Sequence, residues 1–225
     1  IQWEEEFMLL DEYLKYIEDS IDSVLEKIEK KILCEAEYID EQISYVSIRP
    51  ENAQEIFKRF LYNNNFLSLW AAYETGLKEI SRYLSSGNDK FKDYDEFLSC
   101  YKRGKRDFVT VFYKYFEEIY KVGKPSPSLF DQSHLGHLYC LRNIIAHGNG
   151  RIKDIDVSSK KRKDEYKRLK EWIKSQPGIT IEEYGWICLS GEFCRETCDY
   201  LSRSFNKLSL LAYEKSGIKN PRPIE

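Results

Sequence analysis

Arg142 and His147 are the two side chains whose types and spacing suggest chemistry, in the stretch Leu141-Arg-Asn-Ile-Ile-Ala-His-Gly148. Arginine offers a planar, permanently charged fork of donors that suits a phosphate. Histidine gives or takes a proton near neutral pH. Such a pair can cleave RNA without a metal. His147 would remove the proton from a ribose 2′-hydroxyl, which attacks the adjacent phosphorus, while Arg142 stabilises charge on the non-bridging oxygens. The products would carry a 2′,3′-cyclic phosphate and a 5′-hydroxyl. DNA, which lacks the nucleophile, would resist. Asn143 would orient a phosphate or brace the imidazole.

The bare spacing says little: with 12 arginines, 3 histidines and three tolerated offsets in 225 residues, chance supplies roughly half a match. The neighbours sharpen it, with Asn143 directly after the arginine, small Ala146 before the histidine and Gly148 after it. This string resembles the R-x4–6-H motif of HEPN-domain proteins. Phe66-Leu-Ser-Leu-Trp-Ala-Ala-Tyr-Glu74 is similar to the helix that precedes the motif helix in several members. A looser likeness covers 179–213, and none covers 1–50.

The resemblance implies an all-helical homodimer with a cleft shared between two chains. Arg142, Asn143 and His147 would be catalytic there, with Glu74 in a supporting part, and His147 of the second chain would protonate the leaving 5′-oxygen. It also implies an RNA substrate, no metal, no cofactor, and a toxin or antiviral effector restrained by an antitoxin or regulatory protein. The competing expectation is a non-catalytic dimeric module of similar build that binds a nucleotide or a protein partner. A sealed motif would mark that module, with Arg142 engaged by Glu74 and His147 facing no cleft.

On an ideal helix, residues five apart lie about 140° round the axis, so Arg142 and His147 do not share a face. Leu138, Leu141 and Ile145 define a buried stripe with His147 nearly opposite. Gly136, Cys140 and Asn143 line up with His147 as a small, polar strip that lets another surface approach. Arg142 sits beside the buried stripe. Either its long stem curls out of the core edge, or the helix unwinds near Ala146 and His147 swings as a C-terminal cap. A histidine next to a terminal glycine also serves simply as a cap whose charge suits the helix dipole. His134, His137 and Cys140 invite a zinc reading, but they fan over about 120° of azimuth and ~9 Å of helix axis and cannot all grip one tetrahedral ion. His137 reads instead as a cleft-lining polar residue.

The elements that must hold these groups are helices. Trp3, Phe7, Leu10, Leu14, Ile17, Ile21, Val24 and Ile28 alternate spacings of four and three. One extra step of four leads to Ile32, and the line resumes through Ala36, Ile39, Ile43 and Val46. That pattern predicts one long helix with a narrow stripe, ~65 Å long if unbroken and ending before Pro50. It bends back near the irregular step, packs inside the bundle, or meets a second chain. Residues 51–86 form the second helix, with the seam Ile56, Phe60, Asn63, Leu67, Trp70, Glu74, Leu77, Ser81 and Leu84. A carboxylate on that line is costly unless paired: Glu74 either reaches water or accepts a hydrogen bond from Arg142 on a facing helix.

A third helical region covers 94–121, interrupted at Gly104. The motif helix follows, capped by Ser128 or Asp131 and stopped at Gly148. A charged helix runs from Lys160 to Gln176, a β-hairpin takes Ile179–Ile181 and Trp186–Leu189, and a last helix covers 192–216. The expected fold class is therefore all-α: a HEPN-like helical bundle with a long N-terminal helix and one small β-hairpin near the C-terminus. Residues 1–49 would serve packing or dimerisation, and 50–225 would form the domain that carries the motif.

Composition sets the remaining bounds. A net charge of -3 supplies no global basic field, so any nucleic-acid contact must rest on local patches. Lys102, Arg103, Lys105 and Arg106 form one patch, with Tyr101 beside it. Lys160, Lys161, Arg162 and Lys163 form another, continuing through Lys167, Arg168 and Lys170 past Tyr166. Each is either a solvated face or a track for RNA phosphates with a stacking ring nearby. No run approaches ~18 consecutive apolar residues, and no signal-type segment opens the sequence, so a soluble, cytoplasmic protein without membrane contact is expected. The six cysteines include no CxxC pair and read as reduced, structural thiols.

Overall fold

Apolar side chains at helical spacing need a surface to cover them, and in this chain several helices supply it for one another. The computed structural model describes residues 2–38, 50–86, 93–100, 108–120, 131–148, 150–152, 160–182 and 184–216. Its elements are α1 (Gln2–Tyr38), α2 (Pro50–Ser86), α3 (Tyr94–Cys100), α4 (Phe108–Ile119), α5 (Gln132–His147), α6 (Lys160–Ser175), β1 (Ile179–Ile181), β2 (Ile187–Leu189) and α7 (Gly191–Ser216). Among the described residues the protein is all-α apart from one antiparallel hairpin, in which Ile179 faces Leu189, Thr180 faces Cys188 and Ile181 faces Ile187.

The α1 stripe packs within the chain. Phe7, Leu14, Ile17, Ile21 and Leu25 are buried, with α1 lying against α2 and α7. The Phe7 and Phe205 rings stand 5.9 Å apart, and Arg195 of α7 pairs with Glu18 of α1. The expected seam is corrected at Val24, which is exposed while Leu25 takes the buried place. A helix of 3.6 residues per turn drifts away from a strict 3.5-residue repeat, so an apolar line followed by heptads slides off the buried face. The same drift corrects α2. Its buried line holds from Asn63 through Trp70, Leu77, Ser81 and Leu84, but Ile56 and Phe60 face solvent. The α1 seam at Ile39, Ile43 and Val46, and the chain's approach to Pro50, lie outside the described residues.

Trp70 is the hub that ties the motif helix into the core. It is fully buried, and its ring lies 5.8 Å from Tyr73, 6.3 Å from Phe108 of α4 and 5.9 Å from Tyr139 of α5. Tyr94 of α3 stacks on Phe112 of α4 at 4.0 Å. The α7 line Cys194, Cys198, Leu201, Phe205, Leu208 and Ala212 is buried throughout, as its spacing predicts. Among the described residues, no helix is long and apolar enough to cross a membrane.

Candidate functional site

The motif helix α5 starts at Asp131, whose carboxylate accepts from the backbone N–H groups of Ser133 at 2.9 Å and His134 at 3.1 Å. Of the two expected caps, Asp131 is thus the one seen; Ser128 lies outside the described residues. Leu135, Leu138, Leu141, Ile144 and Ile145 are buried, on a helix that packs against α4, α2 and α6. Truncating such a leucine costs about 2–5 kcal/mol, so the helix is firmly seated where it presents its other face.

On that other face Arg142, Asn143 and His147 meet. Arg142 Nη1 donates to Asn143 Oδ1 at 2.9 Å and lies 3.5 Å from His147 Nε2. His147 is exposed, and Arg142 and Asn143 are half-buried. The helix does not unwind at Ala146, because the Gly148 N–H still donates to Ile144 O at 2.8 Å. The arginine closes the distance instead: five residues advance only ~7.5 Å along the axis, within reach of its long side chain. A guanidinium has donors and no acceptor, so the contact is attractive only when Nε2 is unprotonated. That is the form a general base requires.

The end of α5 is held by a second set of contacts that the sequence reading missed. The Gly150 N–H also reaches Ile144 O, at 3.1 Å, with Gly150 at φ 77°, a backbone region that disfavours side chains. Beyond it, Ile187 N–H donates to Gly150 O and Ile152 N–H to Gly185 O, each at 2.8 Å. Arg151 bridges Trp186 across this junction, so Trp186 lies outside the β2 strand expected to contain it. The Trp186 ring lies 4.2 Å from the Arg59 guanidinium and 5.1 Å from that of Arg151. Arg59 also pairs with Glu182 at 3.2 Å, and Asn63 Nδ2 donates to Ile187 O at 3.4 Å. The hairpin therefore anchors the chain just after His147. The Gly-Asn-Gly run at 148–150 is the turn signal that could have pointed to it.

Two expected roles are corrected. Glu74 does not receive Arg142; its carboxylate pairs with Lys78 Nζ at 2.8 Å, one helical turn away and partly in water. A same-helix partner needs no second element to bring it close. His137 does not line a cleft: its ring stacks on Trp172 of α6 at 5.1 Å. His134 joins it, edge-on to Tyr200 at 4.6 Å and to Trp172 at 5.7 Å. Burial pushes both imidazoles below their ordinary value, with the Asp131 charge opposing.

The basic candidates are only partly seen. Lys102, Arg103, Lys105 and Arg106 lie outside the described residues, as does Tyr101. Lys160, Lys161 and Arg162 open α6. Lys163, Lys167 and Arg168 are exposed along it, and Lys170 Nζ lies 5.2 Å from the Tyr166 ring. Cys188, Cys194 and Cys198 are thiols outside any disulfide, and burial raises Cys194 to about 12. Among the described residues, no group of three His, Cys, Asp or Glu side chains could hold a metal ion.

The small strip beside His147 is open. A Cβ added to Gly136 would meet nothing within 4 Å, and Cys140 is exposed. No protein-family model, curated protein or solved structure matches this chain.

Proposed function

We propose that the protein is a metal-independent endoribonuclease that cuts RNA by 2′-hydroxyl attack, leaving 2′,3′-cyclic phosphate and 5′-hydroxyl ends. One observation carries the reading: Arg142 and His147 stand 3.5 Å apart at an exposed helix end, with Asn143 holding the guanidinium. His147 Nε2 takes the 2′-proton. Arg142, braced by Asn143 Oδ1, binds the non-bridging oxygens and stabilises their growing charge. A donor already aimed at the phosphate needs little reorganisation when the reaction occurs.

The strip of Gly136, Cys140, Asn143 and His147 supports a homodimer. Two-fold contact along it sets the same residues against each other, and His147 of the second copy then protonates the leaving 5′-oxygen. The exposed cations of α6 serve as a phosphate track. The protein acts in the cytoplasm as a toxin or antiviral effector, with an antitoxin or regulatory protein as partner. The alternative, a binding module of HEPN-like build without catalysis, loses one of its two marks, since Glu74 is committed to Lys78.

The test is to incubate the purified protein with tRNA and total RNA in excess chelator and to identify the new ends. The proposal expects cleavage with cyclic phosphate termini. Cleavage that requires added magnesium, or termini bearing a 5′-phosphate, would overturn it.

A further inference from the structure

The first 25 residues hold eight carboxylates and a single lysine, and α1 leaves large apolar side chains bare among them. Leu9, Tyr13 and Tyr16 are 59%, 52% and 69% exposed, and their spacing of four and three sets them in one strip. Beside the strip, α1 and α2 enclose a groove of about 520 Å³ lined by Glu6, Leu9, Leu10, Ser68, Ala71 and Thr75. Its α2 wall is made of small side chains, which let a helix come close. On the other flank of the strip, about 65° further round the axis from centre to centre at 100° per residue, Glu5, Glu12 and Asp19 recur every seven positions. All three are exposed. Lys15, the one cation nearby in sequence, is already paired with Asp11 at 2.6 Å.

We propose that this face docks a basic amphipathic helix supplied by a protein partner. Its apolar residues, at the spacing used by helices that lie in grooves, cover Leu9, Tyr13 and Tyr16, and its lysines or arginines face Glu5, Glu12 and Asp19. Charge separates this occupant from the others. A second copy in two-fold contact sets the acidic row against itself, and like charges juxtaposed at an interface are costly. RNA and anionic lipid surfaces carry the same sign as the row. From Glu5 to Asp19 the row extends ~21 Å, about four turns of a partner helix.

The test titrates the intact protein with labelled ~18-residue peptides, read by fluorescence anisotropy. One is a Lys/Leu amphipathic helix, the second has that composition scrambled so that no apolar face remains, and the third replaces Lys by Glu. The amphipathic basic peptide is expected to bind at least about tenfold more tightly than either control. The triple variant Glu5→Lys, Glu12→Lys, Asp19→Lys should weaken it at least tenfold and gain the acidic peptide. Leu9→Ser with Tyr16→Ser should also weaken it, with circular dichroism and thermal midpoint unchanged in both variants. Equal binding of the scrambled peptide, or indifference to both variants, would overturn the proposal. So would self-association in sedimentation that Leu9→Ser with Tyr16→Ser abolishes, which assigns the face to a second copy. No readout depends on RNA cleavage, so this inference and the ribonuclease reading fail separately.

Discussion

All three histidines of the chain lie on α5, and the two ends of that helix treat them in opposite ways. Near its start, His134 and His137 are half-buried against Trp172 and Tyr200, where rings cover their faces and burial disfavours the charged form. At its end, His147 is exposed beside a guanidinium that an asparagine holds in place. The first pair is committed to joining helices. The last imidazole is open to solvent and has beside it a guanidinium, a group that suits a phosphate. Residue type alone does not separate these cases; the neighbours do.

The largest effects are expected at the end that holds Arg142 and His147. His147→Ala should reduce RNA cleavage by roughly 10²–10⁴-fold, the usual contribution of a positioned proton-transfer group, while the thermal midpoint stays unchanged. Equal activity in that variant would sink the assignment. Arg142→Lys keeps the charge but loses the fork that reaches Asn143 and a phosphate together, so a loss of about 10²-fold in kcat is expected, read by steady-state kinetics.

The other end should respond to pH through stability. With both folded-state values lowered, the unfolded chain binds more protons than the folded one as pH falls below the ordinary 6.5. Stability therefore declines with falling pH in that window and is flat above it. The variant His134→Phe, His137→Phe keeps aromatic rings but cannot titrate, and its midpoint, followed from about pH 8 to about pH 5, should decline less than that of the wild type. The smallest effect belongs to Glu74→Gln. An ion pair on a partly exposed surface contributes little, so both cleavage and stability should change by less than about twofold and about 1 kcal/mol. A large loss of cleavage there would reinstate Glu74 as a support for Arg142.

Much of the fold is legible in the sequence because helical periodicity and end signals act locally. Gly148 follows α5, Asp131 caps it, and the α7 line is buried as spaced. Periodicity failed where it was followed too far, at Val24, Ile56 and Phe60, since heptad counting ignores the drift of a straight helix. Arg142 and His147 are recognisable by type, but their meeting is not. Azimuth puts them about 140° apart, and only the path of the arginine stem shows that they come together. The contacts of Trp186 with Arg59 and Arg151, and of Trp172 with His137, join residues far apart in the chain, and no local pattern announces them. Glu74 shows the converse error: a plausible long-range partner was outcompeted by a lysine one turn away.

The central claim is that one guanidinium and one imidazole serve a single phosphodiester. Single-turnover cleavage by Arg142→Ala, His147→Ala and the double variant tests it directly, because groups that act as a unit are strongly non-additive. The double variant should lose about as much as the worse single variant. Losses that simply multiply would mean that the two side chains act on separate events and that their 3.5 Å contact has no part in the reaction.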